Sequence, residues 1–300
     1  MSKTLAELKQ QSENILTELR EEVENKNKKP AKPVDERFWV PEVVEGETTE
    51  YVLRLLPSTK NGKRAWVTVY SYGFKGPNGY YIEKSLASIG KADPMAQLNS
   101  KLWKEGKETQ VRAQGRRTEH ISNVLVINDP KHPENNGKVK LWKYGPKIMK
   151  NKINVLMFPS EAAKMAGVEP VYPYDFWTGR NFILSCKKDG KYNNYDGSYF
   201  INESAPVAED DEKIAAIWDR QFELDEFVDP ANYKTYDEPK ARVEKVFGIN
   251  FDEYVKATNT SPVNSPEVKK QEAELDQLQV GSTSSTTEED IDFDKLLEGL

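Results

Sequence analysis

From Tyr51 to about Ile201 the chain is cut into short runs rich in β-branched and aromatic residues, and this punctuation constrains its fold more than any other feature. The runs are "YVLRLLPS" (51–58), "AWVTVYSYGF" (65–74), "YYIEK" (80–84), "HISNVLVIND" (120–129), "KVKLWKYG" (138–145) and "RNFILSCKK" (180–188). Turn material such as "KNGK", "GPNG", "PENNGK" and "KKDGK" bounds them. Runs of this length, bounded in this way, read as strands joined by turns. Helices are predicted at 93–106, 146–157, 208–228 and 237–247, the third with an acidic first turn that suits the helix macrodipole. The expected fold class is mainly β with flanking helices (α+β).

The two ends differ from this body. Leu5, Leu8, Ile15, Leu16, Leu19 and Val23 recur at helical spacing between charges and predict an exposed helix over 4–24. "NKNKKPAKP" (25–33) lacks periodicity and reads as a linker. The stretch from about 258 to 287 is almost free of large apolar residues and is predicted to be disordered. The last fifteen residues carry six carboxylates and one lysine, with Phe293, Leu296, Leu297 and Leu300 at the spacing of one helical face. The expected organisation is an arm and linker at 1–33, a core at 34–257, a linker at 258–285 and an acidic tail at 286–300.

Three hundred residues suffice for a sizeable core. No run approaches the ~18 apolar residues of a membrane span. With Cys186, His120 and His132 as the whole Cys/His complement, neither an intramolecular disulfide nor a zinc site of four Cys/His ligands can be built. A soluble intracellular protein is expected. The net charge of −6 averages unlike parts: residues 1–50 balance at −4, residues 51–200 at +13 and residues 201–300 at −15. A basic body between acidic ends points to a polyanionic ligand.

Aromatics interleave with the cations of that body. If "KVKLWKYG" is a strand, Lys138, Lys140, Trp142 and Tyr144 share a face opposite Val139 and Leu141. Cations for phosphates and rings for unstacked bases are what single-stranded nucleic acid requires. Trp142 and Tyr144 could equally form a second core face. "RAQGRRTEH" places Arg112, Arg116, Thr118 and His120 on one parity, with Arg117 beside them. "KKDGKYNNYDGSYF" sets Lys191 among Tyr192, Tyr195 and Tyr199 in turn-rich sequence. Arg54 lies in apolar "VLRLLP", where a charge needs a partner or a groove. Tyr72 and Lys75 extend the set along the 65–75 run. Together these segments favour a single-strand groove.

Catalytic readings have less support. The chain has no GxxxxGK[ST] loop, GxSxG elbow or HExxH motif. A metal-dependent nuclease could be built on Asp129, Glu134 and Asp196 alone, although "INDPKHPENNGK" reads more simply as a polar hairpin connection.

At this point the segments match a family. "YVLRLLPS", "YGFKGPNGYYIEK", "RRTEHISNVLVINDPKHPENNGKVKLWKYGPKI", "YNNYDGSYFINESA" and the terminal "DIDFDKLLEGL" resemble the replicative single-stranded-DNA-binding proteins of T-even-like bacteriophages. The resemblance implies an OB-fold core that coats single strands cooperatively in DNA replication, recombination and repair. It implies an N-terminal self-association arm and a partner-binding tail, no enzymatic activity, and a location in the cytoplasm of an infected bacterial host. It places Arg54, Arg116, Arg117, Trp142, Tyr192 and Tyr195 in the binding cleft. The family's N-terminal basic motif is reduced here to "SKT", leaving Lys3 and Thr4 for self-association. In the tail, Asp290, Asp292 and Asp294 would steer basic partners such as a polymerase, helicase loader or recombination mediator. Phe293, Leu296, Leu297 and Leu300 would then dock. The family's zinc ligands match Tyr72, Ser85, Met95 and Leu98, so no metal or other cofactor is expected; Tyr72, Met95 and Leu98 could form a small apolar cluster. Two rivals are the nuclease above and an RNA-binding translational regulator, since a stacking groove accepts either polymer.

Overall fold

In a computed structural model, residues 35–256 are described. The expected arm with Lys3 and Thr4, the linker 258–285 and the tail 286–300 lie outside them. Among the described residues nine strands form one sheet: β1 (Phe38–Trp39), β2 (Thr48–Leu55), β3 (Trp66–Gly76), β4 (Gly79–Lys84), β5 (Arg117–Asn128), β6 (Val139–Tyr144), β7 (Asn181–Asp189), β8 (Tyr192–Asn194) and β9 (Tyr199–Phe200). The order along its main path is β1-β6-β5-β2-β7-β8. Only β1 with β6 is parallel among these pairings.

Strand β5 organises the sheet. Its residues 117–122 pair with β3, 124–128 with β2 and 120–125 with β6. Seven consecutive residues, His120 to Val126, are buried, so both faces of β5 are covered. On one face Val124 and Val126 join Trp142, Tyr144, Trp39, Tyr51, Tyr174 and Phe182. On the other, Ile121 and Leu141 meet Val67 and Leu224, while Leu125 and Val139 meet Phe176, Ile214 and Ile217. The second face is therefore roofed by the segment around 207–228.

The helices are α1 (Pro94–Lys104), α2 (Glu108–Ala113), α3 (Pro146–Ile148), α4 (Asn154–Met157), α5 (Glu161–Met165), α6 (Asp211–Asp219), α7 (Asp237–Phe247) and α8 (Phe251–Lys256). Helix α1 starts where the Asp93 carboxylate accepts the Ala96 N–H, with Pro94 in the first turn. Gly248, at φ 66°, ends α7. The helix predicted over 208–228 stops at Asp219. Beyond it, Asn123 accepts the Phe222 N–H at 2.9 Å and donates to the Phe222 carbonyl at 2.8 Å. Gln221 donates to the Pro57 carbonyl. These bonds to the middle of β5 and to the chain just after β2 hold the segment in a non-helical path.

A second core lies at the β3–β4 hairpin, where Tyr72, Phe74, Tyr81, Met95, Leu98 and Val111 pack with Val243, Val246, Phe251 and Val255. With helices prominent beside the sheet, the described chain is mixed α/β rather than mainly β. No helix among the described residues is long and apolar enough to cross a membrane.

Candidate nucleic-acid interface

A cleft of about 850 Å³ opens where β5 begins and β6 ends. One wall carries Arg117, Thr118 and Glu119 of β5 and Lys143 and Tyr144 of β6, and continues through Gly145 into α3. The facing residues belong to the β7–β8 hairpin and the turn after it: Asp189, Tyr192, Asn193, Asn194, Tyr195 and Asp196.

Between α3 and α4 the helix widens into a π-helical turn, Met149–Ile153. Ile148, Met149 and Ile153 are buried in the main core. The wide turn lets these three face inward while Lys147, Asn151 and Lys152 line the cleft. Lys152 Nζ donates to the Asp196 carbonyl at 2.8 Å, tying the helical wall to the hairpin wall. Lys143 Nζ lies 4.8 Å from the centroid of the Phe38 ring. The cleft thus holds Arg117 and three lysines against Glu119, Asp189 and Asp196.

Its tyrosines occupy different environments. Tyr192 is 58% exposed at the hairpin, free to offer a ring face. Tyr195 packs partly against the main core, and burial raises its pKa; its hydroxyl accepts from Asn193 at 3.2 Å. Tyr144 is almost wholly buried, its hydroxyl shared with Ser122 at 2.9 Å and Tyr174 at 2.8 Å. Burial pushes its pKa up to about 12, so it is a neutral phenol at the floor of the cleft.

Of the residues singled out from sequence, the structure brings Arg117, Tyr144, Tyr192 and Tyr195 to this cleft, with Lys191 in the adjoining turn. Others stand elsewhere. Arg54 is 1% exposed, its guanidinium donating to the carbonyls of Asp175 and Ala205; burial lowers its pKa to about 10, still a cation at neutral pH. It cannot reach a phosphate from there. Trp142 is buried between Trp39, Tyr144 and Phe182, because both faces of β6 are covered. Tyr72 belongs to the second core. His120 is buried beside Thr68, and desolvation pushes its pKa down to about 4, so it is uncharged at pH 7. The groove assignments of these four are corrected on burial.

Arg116 is largely buried with its guanidinium 3.9 Å from the Tyr70 ring centroid. Arg112 pairs with Glu108 one turn back on α2. Lys75 is exposed near the β3–β4 turn, and Lys140 is half-buried on β6. None of the four lines the cleft. Sequence reasoning passed over Lys143, Lys147, Asn151 and Lys152, although "KYGPKIMKNK" (143–152) shows four lysines within ten residues.

The positions matching the family's zinc ligands do not fit that metal. Tyr72, Met95 and Leu98 are buried in one apolar cluster. Ser85 Oγ donates at 2.8 Å to Asp93, whose carboxylate also accepts the N–H groups of Leu86 and Ala96. This set offers no thiolate or imidazole. Among the described residues no group of three or more His, Cys, Asp or Glu is placed to hold a metal ion. Asp129 anchors its own loop, accepting from Trp39 Nε1, Asn135 and the backbone of Lys131 and His132, while Glu134 contacts His132.

A family model described as gp32 DNA binding protein like matches residues 47–247. The chain is 30% identical over 220 residues to the single-stranded DNA-binding protein of Enterobacteria phage T2, covering 71% of each chain. It is 28% identical over 263 residues to the single-stranded DNA-binding protein of Enterobacteria phage T4, covering 86% of this chain and 84% of the relative.

Proposed function

The chain belongs to the gp32 DNA-binding-protein-like family, and on that premise we propose that it binds single-stranded DNA in the cleft between the β7–β8 hairpin and the α3 wall. One observation carries this reading: Tyr192 and Tyr195 stand on one wall while Lys147 and Lys152 stand on the other. Rings stack unpaired bases and ammonium groups meet the phosphates. A duplex hides its base faces, so tyrosines at an open cleft favour a single strand.

Family membership extends the proposal. We take the sheet around β5 as an OB-type core that coats single strands cooperatively in replication, recombination and repair, within the cytoplasm of an infected bacterial host. Residues 1–33, with Lys3 and Thr4, would link neighbouring copies, and residues 286–300 would recruit replication partners. No enzymatic step is assigned, since Asp129 and Glu134 are engaged in holding their loop.

The test is a salt titration of binding to matched single- and double-stranded DNA. A single-strand preference is expected. Tyr192→Ala and Tyr195→Ala should each weaken single-strand binding by ~1–3 kcal/mol. Equal affinity for both forms, or sustained cleavage in Mg²⁺, would overturn the reading. A competition between oligo-dT and matched RNA decides the polymer.

A further inference from the structure

Arg54 serves a surface turn rather than a ligand in the cleft. Its Nη2 donates to the carbonyls of Asp175 at 3.0 Å and Ala205 at 2.7 Å, with Phe176 O at 3.5 Å. Beside it Gly179 has no room for a side chain: a Cβ there would lie 2.4 Å from the Asp175 carbonyl oxygen and 2.9 Å from Arg54 Nη2. The Asp175 carboxylate accepts the N–H groups of Trp177 at 2.8 Å and Thr178 at 2.6 Å, and the Thr178 hydroxyl at 2.9 Å. A buried guanidinium, an obligate glycine and a side-chain cap all hold this one turn. A buried guanidinium is tolerated only where hydrogen bonds offset its desolvation, so the geometry is strongly specified.

What the turn holds out is an indole. Phe176 is buried, yet Trp177 next to it is 55% exposed. Trp218, 37% exposed on α6, rests edge-on against the same Phe176 ring, with centroids 6.4 Å apart. The Trp218 Nε1 donates to the Ser58 carbonyl, which fixes the second ring. Lys60 lies 5.3 Å from the Trp218 ring centroid and pairs with Asp219; Arg180 follows Trp177 three residues on, its Nε donating to Ser204. Phe176 packs at the Val139 end of β6, whereas the cleft lies at the Tyr144 end. Five residues of strand separate the two, roughly 17 Å.

We propose that Trp177 and Trp218 form a second stacking platform for single-stranded nucleic acid, apart from the cleft, with Lys60 and Arg180 as its phosphate contacts. The proposal rests on the single-strand reading of the cleft. Rigid, half-exposed rings beside cations stack bases of any sequence. A strand long enough to leave the cleft reaches the platform, and a short one does not.

The experiment titrates the full chain with oligo-dT of ~4 and ~16 nucleotides, the limits over which single-strand sites range, reading anisotropy and tryptophan fluorescence. Trp177→Ala should weaken binding of the longer oligonucleotide by about fivefold to a hundredfold, while leaving the shorter one and the melting temperature unchanged. Trp177→Phe should restore most of the loss, and the longer oligonucleotide should quench the unaltered chain more than the shorter. Tyr192→Ala with Tyr195→Ala should weaken both lengths. If that double variant binds the short oligonucleotide normally, the cleft reading fails. If Trp177→Ala binds both lengths normally, or loses both equally, the platform is overturned, as it is if the variant loses only a protein partner.

Discussion

Replacing Trp142 with alanine separates a core ring from a groove ring. The indole is 3% exposed and lies 4.7 Å from the Tyr144 ring, 5.8 Å from Phe182 and 6.4 Å from Trp39, centroid to centroid. Truncating such a residue removes its transfer free energy and leaves a cavity that its neighbours only partly fill, a loss of ~3–5 kcal/mol. At ~2–4 °C per kcal/mol for a chain of this size, the melting temperature should fall by roughly 6–20 °C. Scanning calorimetry measures the fall, and fluorescence anisotropy, well below the lowered transition, should find single-strand affinity little changed. Trp142→Phe should recover much of the stability. Tyr192→Ala should behave in the opposite way: its ring is exposed, so stability should hold within about 0.5 kcal/mol while affinity falls. A Trp142→Ala chain that melts normally but binds single strands weakly would refute the assignment, and with it the two-sided burial of β6.

Three further outcomes are expected. Lys147→Gln or Lys152→Gln should each reduce the slope of log affinity against log salt by about one unit; slopes equal to that of the unaltered chain would remove these lysines from the phosphate path. His120 has its pKa lowered by burial from 6.5 to about 4, so the unfolded chain binds the proton more readily. Stability should therefore decline as pH falls from about 6.5 towards 4, by up to ~3 kcal/mol, and a His120→Gln chain unfolded by urea across that range should lack this component. Chelator should leave the melting temperature unchanged and elemental analysis should find no stoichiometric zinc; one zinc per chain would contradict the reading of Tyr72, Ser85, Met95 and Leu98 as a packed, metal-free cluster.

Local chemistry makes much of this protein legible in its sequence. Each of the six predicted strand segments holds a strand, because alternation and turn residues act within a few positions. Helix α1 starts at the Asp93–Pro94 signal, and α7 ends at Gly248, where a left-handed residue is needed. The hairpin tyrosines 192 and 195 stood out as rings in polar sequence and do line the cleft. Which way the other rings point was settled only by tertiary structure. Alternation says that Trp142 and Tyr144 share a face, but not whether that face meets water. The answer came from Tyr51, Tyr174 and Phe182, brought over them from distant parts of the chain, while Ile214, Ile217 and Leu224 closed the opposite face. Arg54 is the same case: its carbonyl partners lie 121 and 151 residues away, and a local pattern carries no trace of them. Periodicity records which residues share a side, whereas burial depends on what long-range packing lays against that side.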